Sequence, residues 1–250
     1  MSEKIKNLGF AYSMPPVDLQ DLSEPDTKRA IFRCRKAFEQ IIFDTVNLEG
    51  NPYSFPEVKT LLDGITVGGH KLSDEKQILN QADSWKLLFE KIRDQSFGVD
   101  KQIFCSLHEL AGEEESLTWG VFRDGGVTIA GTDYIPPNAD QLNEVFKKGI
   151  AHLTGIKNHL EKAVAFFLFG SLRQFFYDVN KRTSRLMMNG ILLSVGNDAI
   201  NVPAKRKLEF NEKMVRFYDS KDGTEMMEFL ISCSLDPKMA GKKGKTNHQR

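Results

Sequence analysis

The sequence predicts a helical body carrying one small β-hairpin. Over most of the chain, apolar residues recur at spacings of three and four, the pattern of one buried helix face. Two nearly continuous apolar runs, 163–169 and 186–195, read as helices buried on every side. Only residues 119–135 change character: Val121, Val127, Ile129 and Tyr134 lie among Gly125, Gly126 and Gly131, which is hairpin composition.

Each element follows from local signals. Residues 1–24 are polar and contain proline, and are expected to form an arm whose Phe10, Tyr12 and Met14 pack on the body. Asp26 is placed to cap a helix over 27–48, in which Ile31, Cys34, Phe38, Ile41, Thr45 and Leu48 share a face. Gly50, Asn51 and Pro52 stop it. A short helix is expected over 56–62, then a loop at Gly68 and Gly69. Ser73, Asp74 and Glu75 favour a helix start, continued by Leu79, Ala82, Trp85, Leu88, Phe89 and Ile92. Further helices are expected over 103–110, 140–153, 159–176, 180–195, 209–218 and 224–233. Residues 25–235 thus read as a single domain, followed by a basic, glycine-containing tail over 236–250 that is expected to be disordered.

Composition narrows the function classes. With 250 residues and 40% apolar content, the chain is an ordinary globular one. Its formal net charge of zero argues against general nucleic-acid binding, which relies on neutralising phosphates. Cys34, Cys105 and Cys233 are odd in number and form no C-x-x-C pair, so they read as reduced, buried thiols of a cytoplasmic protein without a zinc site. No apolar run approaches the ~18 residues of a membrane span, and none follows the N-terminus as a signal peptide would. Trp85, Trp119 and the phenylalanines read as core, not as a base-stacking surface.

Between the two apolar runs lies Gln174-Phe175-Phe176-Tyr177-Asp178-Val179-Asn180-Lys181-Arg182-Thr183-Ser184-Arg185. Lys181, Arg182 and Arg185 fall in the first turns of the second helix, where the helix dipole disfavours cations. Cations at such an end suggest an anionic ligand, and free backbone N–H groups there suit phosphate. Arg182 and Arg185 are three apart and share a helix face.

These residues resemble the signature of the Fic (Fido) family, His-x-Phe-x-(Asp/Glu)-Gly-Asn-(Gly/Lys)-Arg-x-x-Arg, through Phe176, Asp178, Asn180, Lys181, Arg182 and Arg185. Gln174 stands at the family's His and Val179 at its usual Gly. Residues 45–50, with Thr45, Glu49 and Gly50, are similar to the family's inhibitory pattern, (Ser/Thr)-x-x-x-Glu-(Gly/Asn). Residues 119–137 are similar to its β-hairpin flap, which ends in a Pro-Pro pair.

The resemblance implies a mainly helical Fic fold and transfer of AMP from ATP to a Ser, Thr or Tyr hydroxyl of a target protein. It implies that Asp178 binds Mg²⁺, that Asn180, Lys181, Arg182 and Arg185 meet the nucleotide phosphates, and that Glu49 pairs with Arg185 where a γ-phosphate would sit. It implies a protein target docking on the flap between Arg123 and Gly131, by strand addition. Gln174 has no usable basicity near neutral pH, and loss of a general base costs a factor of ~10² to 10⁴. His152 and His159 lie on earlier helical segments and do not replace it. The expected protein is therefore a Fic-fold nucleotide binder impaired in transfer. Two other readings stay open: an adenylyltransferase that works without the His, and a non-catalytic interaction module. Val179 is expected to tighten or distort the anion pocket.

Overall fold

The computed structural model describes residues 7–16 and 23–238. Expectations for the rest of the arm and for the tail beyond residue 238 fall outside the described residues. The fold is helical, as the sequence predicts. Its elements are α1 (Thr27–Lys36), α2 (Phe38–Leu48), α3 (Phe55–Leu62), α4 (Leu72–Arg93), α5 (Lys101–Ala111), α6 (Leu142–Gly155), α7 (His159–Arg173), α8 (Asn180–Ser194), α9 (Lys207–Ser220) and α10 (Thr224–Ile231), with 3₁₀ turns at Ala139–Gln141 and Ala204–Arg206.

The centre is the pair α7 and α8, which pack on each other more extensively than any other two elements. From Ala163 to Leu172 every α7 residue is buried, which explains a run with no polar face. Gly170 permits the close approach, because a Cβ there would stand 2.1 Å from Ser184 Oγ. Helices α4 and α5 pack on α8, α6 and α10 on α7, and α2 on α3 and α4. In the arm, Leu8, Phe10 and Tyr12 are buried against this body. The Tyr12 hydroxyl donates to Glu161 (2.9 Å), and Arg173 Nε donates to the Leu8 carbonyl (2.9 Å).

Several details differ from the sequence reading. The helix expected over 27–48 is two helices, broken at Ala37, whose φ of −94° and ψ of 6° leave the helical region. No Gly or Pro marks the break, and a single-residue kink leaves the three-and-four spacing intact. Asp26 caps α1 as read, accepting from Arg29 N at 2.9 Å. α4 starts at Leu72 rather than Ser73, with Asp74 and Glu75 in its favourable first turn. α7 stops at Arg173, because Gln174 turns left-handed at φ 49°. Trp85 is core, but Trp119 is 42% exposed, so the expectation of a buried Trp119 fails. Cys34 and Cys233 are buried and in no disulfide, whereas Cys105 is only half-buried.

The hairpin is the main departure. Among the described residues the only bridges are two isolated ones, Ala11 with Asp222 and Ile200 with Ser234, and residues 119–137 form no ladder. Their backbone is tied down instead by side chains, Arg123 foremost. Buried Arg123 donates Nε to the Gln174 carbonyl (2.6 Å), Nη1 to Gly125 and Nη2 to Pro137. Its own N–H donates to Phe175 O (2.9 Å). The segment is an extended excursion pinned at both ends by a guanidinium.

Candidate functional site

The loop 174–179 that joins α7 to α8 is bracketed by two non-glycine residues in left-handed geometry, Gln174 at φ 49° and Val179 at φ 61°. For a β-branched residue this is a strained conformation, worth about 1–2 kcal/mol. Surrounding hydrogen bonds impose it. Asn180 Oδ1 accepts from Phe176 N (2.9 Å), while its Nδ2 donates to Phe176 O (2.8 Å) and to Gln174 Oε1 (3.0 Å). Gln174 Nε2 donates to Ser171 O (2.7 Å). Asp178 Oδ1 accepts from Val179 N (2.6 Å). The side chain of Asn180 is therefore spent on the loop. The Gln174 amide is bonded at both ends, and Val179 occupies the left-handed position that a glycine takes without strain.

Phe176 is core, as expected. It lies against His108 of α5 with ring centroids 3.6 Å apart and planes 5° apart. His108 is fully buried. Burial, with a smaller push from the Arg182 charge, drives its basicity down to about 4.

Above this loop opens a cavity of about 490 Å³. Gln174, Asp178, Asn180, Lys181, Arg182 and Glu49 line one side. Thr128, Ile129 and Ala130 supply another wall, and Asn211, Met214, Val215 and Tyr218 of α9 the last. The first amides of α8 have no partner within their helix, so this wall is electropositive. Asp178 is exposed and joins no ion pair among the described residues.

The cations are not free. Glu49, which caps α2, places Oε1 3.0 Å from Arg185 Nη2 and Oε2 3.1 Å from Lys181 Nζ. Burial works to raise the Glu49 pKa, but the charges of Lys181, Arg185 and Arg182 overcome it and hold the carboxyl at about 2. Arg182 is held by a second carboxylate: Glu115 takes its fork at 3.0 Å and 2.6 Å. Arg185 Nε and Nη1 are buried without a hydrogen-bond partner among the described residues.

Six of the sequence-derived site residues thus share one cavity. Three do not line it. Arg185 stands behind Glu49, Thr45 is buried one turn back on α2, and Gly50 forms the turn after it at φ 97°. Arg123 is a buried clamp, which removes it from the docking surface expected between Arg123 and Gly131. Glu115, His108 and the α9 wall carry no local signal in the sequence. They reach the site only through the fold, from 60 or more residues away in the case of Glu115 and Arg182 (67 residues).

Comparison with known proteins supplies the context. Residues 98–192, which include α5, α7 and the loop up to the last turn of α8, match the Fic/DOC family. That stretch of the chain is thus similar to a Fic domain. A protein adenylyltransferase Fic of Drosophila ananassae is 22% identical over 216 residues, 84% of this chain and 43% of that protein. The corresponding protein of Aedes aegypti is 22% identical over 219 residues, with 85% and 43% covered. The chain therefore spans less than half the length of these curated relatives. Among solved structures, a Fic domain containing signaling protein from Bacteroides thetaiotaomicron superposes with a TM-score of 0.71 at 17% identity, covering 90% of this chain and 94% of that one. Fic-1 (residues 134–508) from C. elegans gives 0.67 at 16% identity, covering 91% and 67%. At such identity the likeness is one of fold. Among the described residues, no helix is long and apolar enough to cross a membrane.

Proposed function

We propose that this Fic domain binds a nucleoside triphosphate, ATP by family, with its phosphates at the start of α8, and that it is impaired in transferring AMP to a protein hydroxyl. The observation that carries the reading is Glu49. Its carboxylate sits between Lys181 and Arg185 beside the cavity, so an anion already occupies the place a terminal phosphate would take. Two unit charges ~4 Å apart attract by about 4 kcal/mol at an effective dielectric of 20, enough to compete with a phosphate contact. Glu49 acts as a brake, with Thr45 and Gly50 as the local frame that presents it.

Among the described residues, no group of three or more His, Cys, Asp or Glu could hold a metal ion alone. Exposed Asp178 at the cavity edge suits Mg²⁺ of the other kind, bound by one carboxylate together with phosphate oxygens and water. Bound there, Mg²⁺ would offset phosphate charge. The chain's own residues do the rest: the α8 amides and Lys181 bind, Arg185 waits behind Glu49, and Arg182 braces the turn through Glu115. The weak step is proton removal. A target hydroxyl attacking the α-phosphate needs a base at position 174, and the Gln174 amide has none to offer.

A second reading, a non-catalytic module, is favoured by the exposed Leu117, Trp119, Val121 and Ile135, which offer apolar contacts to a protein target around the 119–137 segment. The thiols of Cys34, Cys105 and Cys233, which join no disulfide among the described residues, support a cytoplasmic setting. Label transfer from α-labelled ATP with Mg²⁺ tests the assignment. Wild type should label poorly, Gln174→His better, and Gln174→His with Val179→Gly and Glu49→Gly best, non-additively. Strong wild-type labelling abolished by Asp178→Ala would establish a transferase that works without the His. Silence from the triple variant would favour the interaction module.

A further inference from the structure

His108 sits at the junction of three parts of the site and touches none of the cavity itself. Its ring lies on Phe176. Nδ1 is 3.1 Å from Gly120 N, which donates to it. Nε2 is 3.2 Å from the Asp178 carbonyl. A carbonyl can only accept, and a backbone N–H can only donate, so the ring must be neutral with its proton on Nε2. One tautomer satisfies both partners, and no other does.

The bond to Asp178 has leverage. A peptide unit is planar, so the Asp178 carbonyl and the Val179 N–H turn together. That N–H donates to Asp178 Oδ1 at 2.6 Å. Fixing the carbonyl from below therefore fixes the N–H above it, and with it the Asp178 carboxylate. Val179 is strained at φ 61°, so this peptide has a tendency to rotate away that something must oppose. The same ring also holds Gly120, at the root of the 119–137 segment. Gly120 has φ 74°, and a Cβ there would stand 3.2 Å from the Glu109 side chain.

We propose that His108 is a positioning residue for the anion site: it locks the 178–179 peptide plane, so aiming the Asp178 carboxylate at the cavity, and ties that plane to the root of the 119–137 segment. The inference rests on the nucleotide-binding reading above and deepens it. His108 makes no contact with ligand. Its influence passes through one peptide bond.

The test uses the whole chain in the Glu49→Gly background, with ATP as probe in Mg²⁺ and in EDTA, read by calorimetry. His108→Phe keeps the aromatic stack and removes both hydrogen bonds. It should weaken Mg–ATP binding by about 3- to 10-fold, the net worth of one such bond, and leave binding in EDTA within about 2-fold. In an Asp178→Ala background it should have no further effect. His108→Gln, whose amide can again donate to the carbonyl, should recover most of the loss. In the ligand-free protein, His108→Phe should speed hydrogen exchange at the Val179 and Gly120 amides, while exchange in the α7 interior is unchanged. Unchanged exchange at Val179 would overturn the proposal, as would equal losses with and without Mg²⁺ or in the Asp178→Ala background. If the Glu49→Gly protein shows no Mg²⁺-dependent ATP binding at all, the nucleotide reading fails, and the Val179 exchange rate still decides the role of His108.

Discussion

Glu49→Gln removes one charge and almost no volume, and the glutamine stands in for the protonated acid. In the folded protein the Glu49 carboxyl lies at about 2 against an ordinary 4.5. Each unit of difference is about 1.4 kcal/mol, so ionised Glu49 contributes about 3 kcal/mol to stability near neutral pH. The folded pKa is depressed, so this contribution is complete above the unfolded value and is lost as pH falls from about 4.5 towards 2. Other carboxylates share that window. Glu57, for example, is held at about 2 by its bonds to Ser54, so wild-type acid sensitivity alone identifies nothing. The difference between wild type and variant isolates Glu49. Urea unfolding at pH 7 should find Glu49→Gln less stable by about 3 kcal/mol, with Lys181 and Arg185 left facing each other. The gap should narrow to about 1 kcal/mol as both proteins are taken to pH 2.5, and vanish only below the folded value of about 2. Two parallel stability curves from pH 7 to pH 2.5 would refute the argument, because they would mean that Glu49 is not ion-paired in solution.

Val179→Gly loses burial worth ~1.5–3 kcal/mol and gains unfolded-chain freedom worth ~0.5–1 kcal/mol, but it relieves left-handed strain of about 1–2 kcal/mol. In urea unfolding it should therefore cost at least about 1 kcal/mol less than Val164→Gly, which is equally buried but inside α7; equal costs would show that Val179 is unstrained. Glu115→Ala leaves the guanidinium of Arg182 buried and unpaired, and should cost about 3–5 kcal/mol by the same measurement. A cost below ~1 kcal/mol, typical of an exposed pair, would contradict the bracing role. Arg123→Ala removes three bonds to carbonyls, and limited proteolysis should then cut within residues 124–136 at a markedly higher rate. An unchanged cleavage pattern would mean that the segment is held by something else.

These tests probe the parts of the site that the sequence reveals least. The helices were legible because burial writes a three-and-four rhythm into residues such as Ile41, Leu48, Leu88 and Ile92. The loop was legible because Asp178, Asn180, Lys181, Arg182 and Arg185 fall within one short stretch, so their chemistry is concentrated in one place. The break at Ala37 was not, since a one-residue kink preserves the rhythm on either side. Val121, Val127 and Ile129 read as strand residues, yet Arg123 takes the carbonyls of Gly125 and Pro137 in place of a ladder, and no single-sequence rule distinguishes a clamp arginine from a surface one. The pairing of Arg182 was hidden for a related reason. Glu115 is one acid in a run of three, Glu113, Glu114 and Glu115, and only the packing of α5 on α8 selects it. His108 likewise is a lone histidine on an apolar helix face, whose role exists only once Gly120 and Asp178 are brought to its two nitrogens. Glu49 shows the reverse case, in which a short pattern named a contact 136 residues away.

The most direct measurement is a calorimetric titration of wild type and Glu49→Gly with Mg–ATP at neutral pH. If Glu49 holds the place of a phosphate, removing it frees Lys181 and Arg185, and the variant should bind at least ~10-fold more tightly, a gain of about 1.4 kcal/mol out of the roughly 4 kcal/mol of charge attraction at stake. Equal affinity in the two proteins, or no binding by either, would contradict the account.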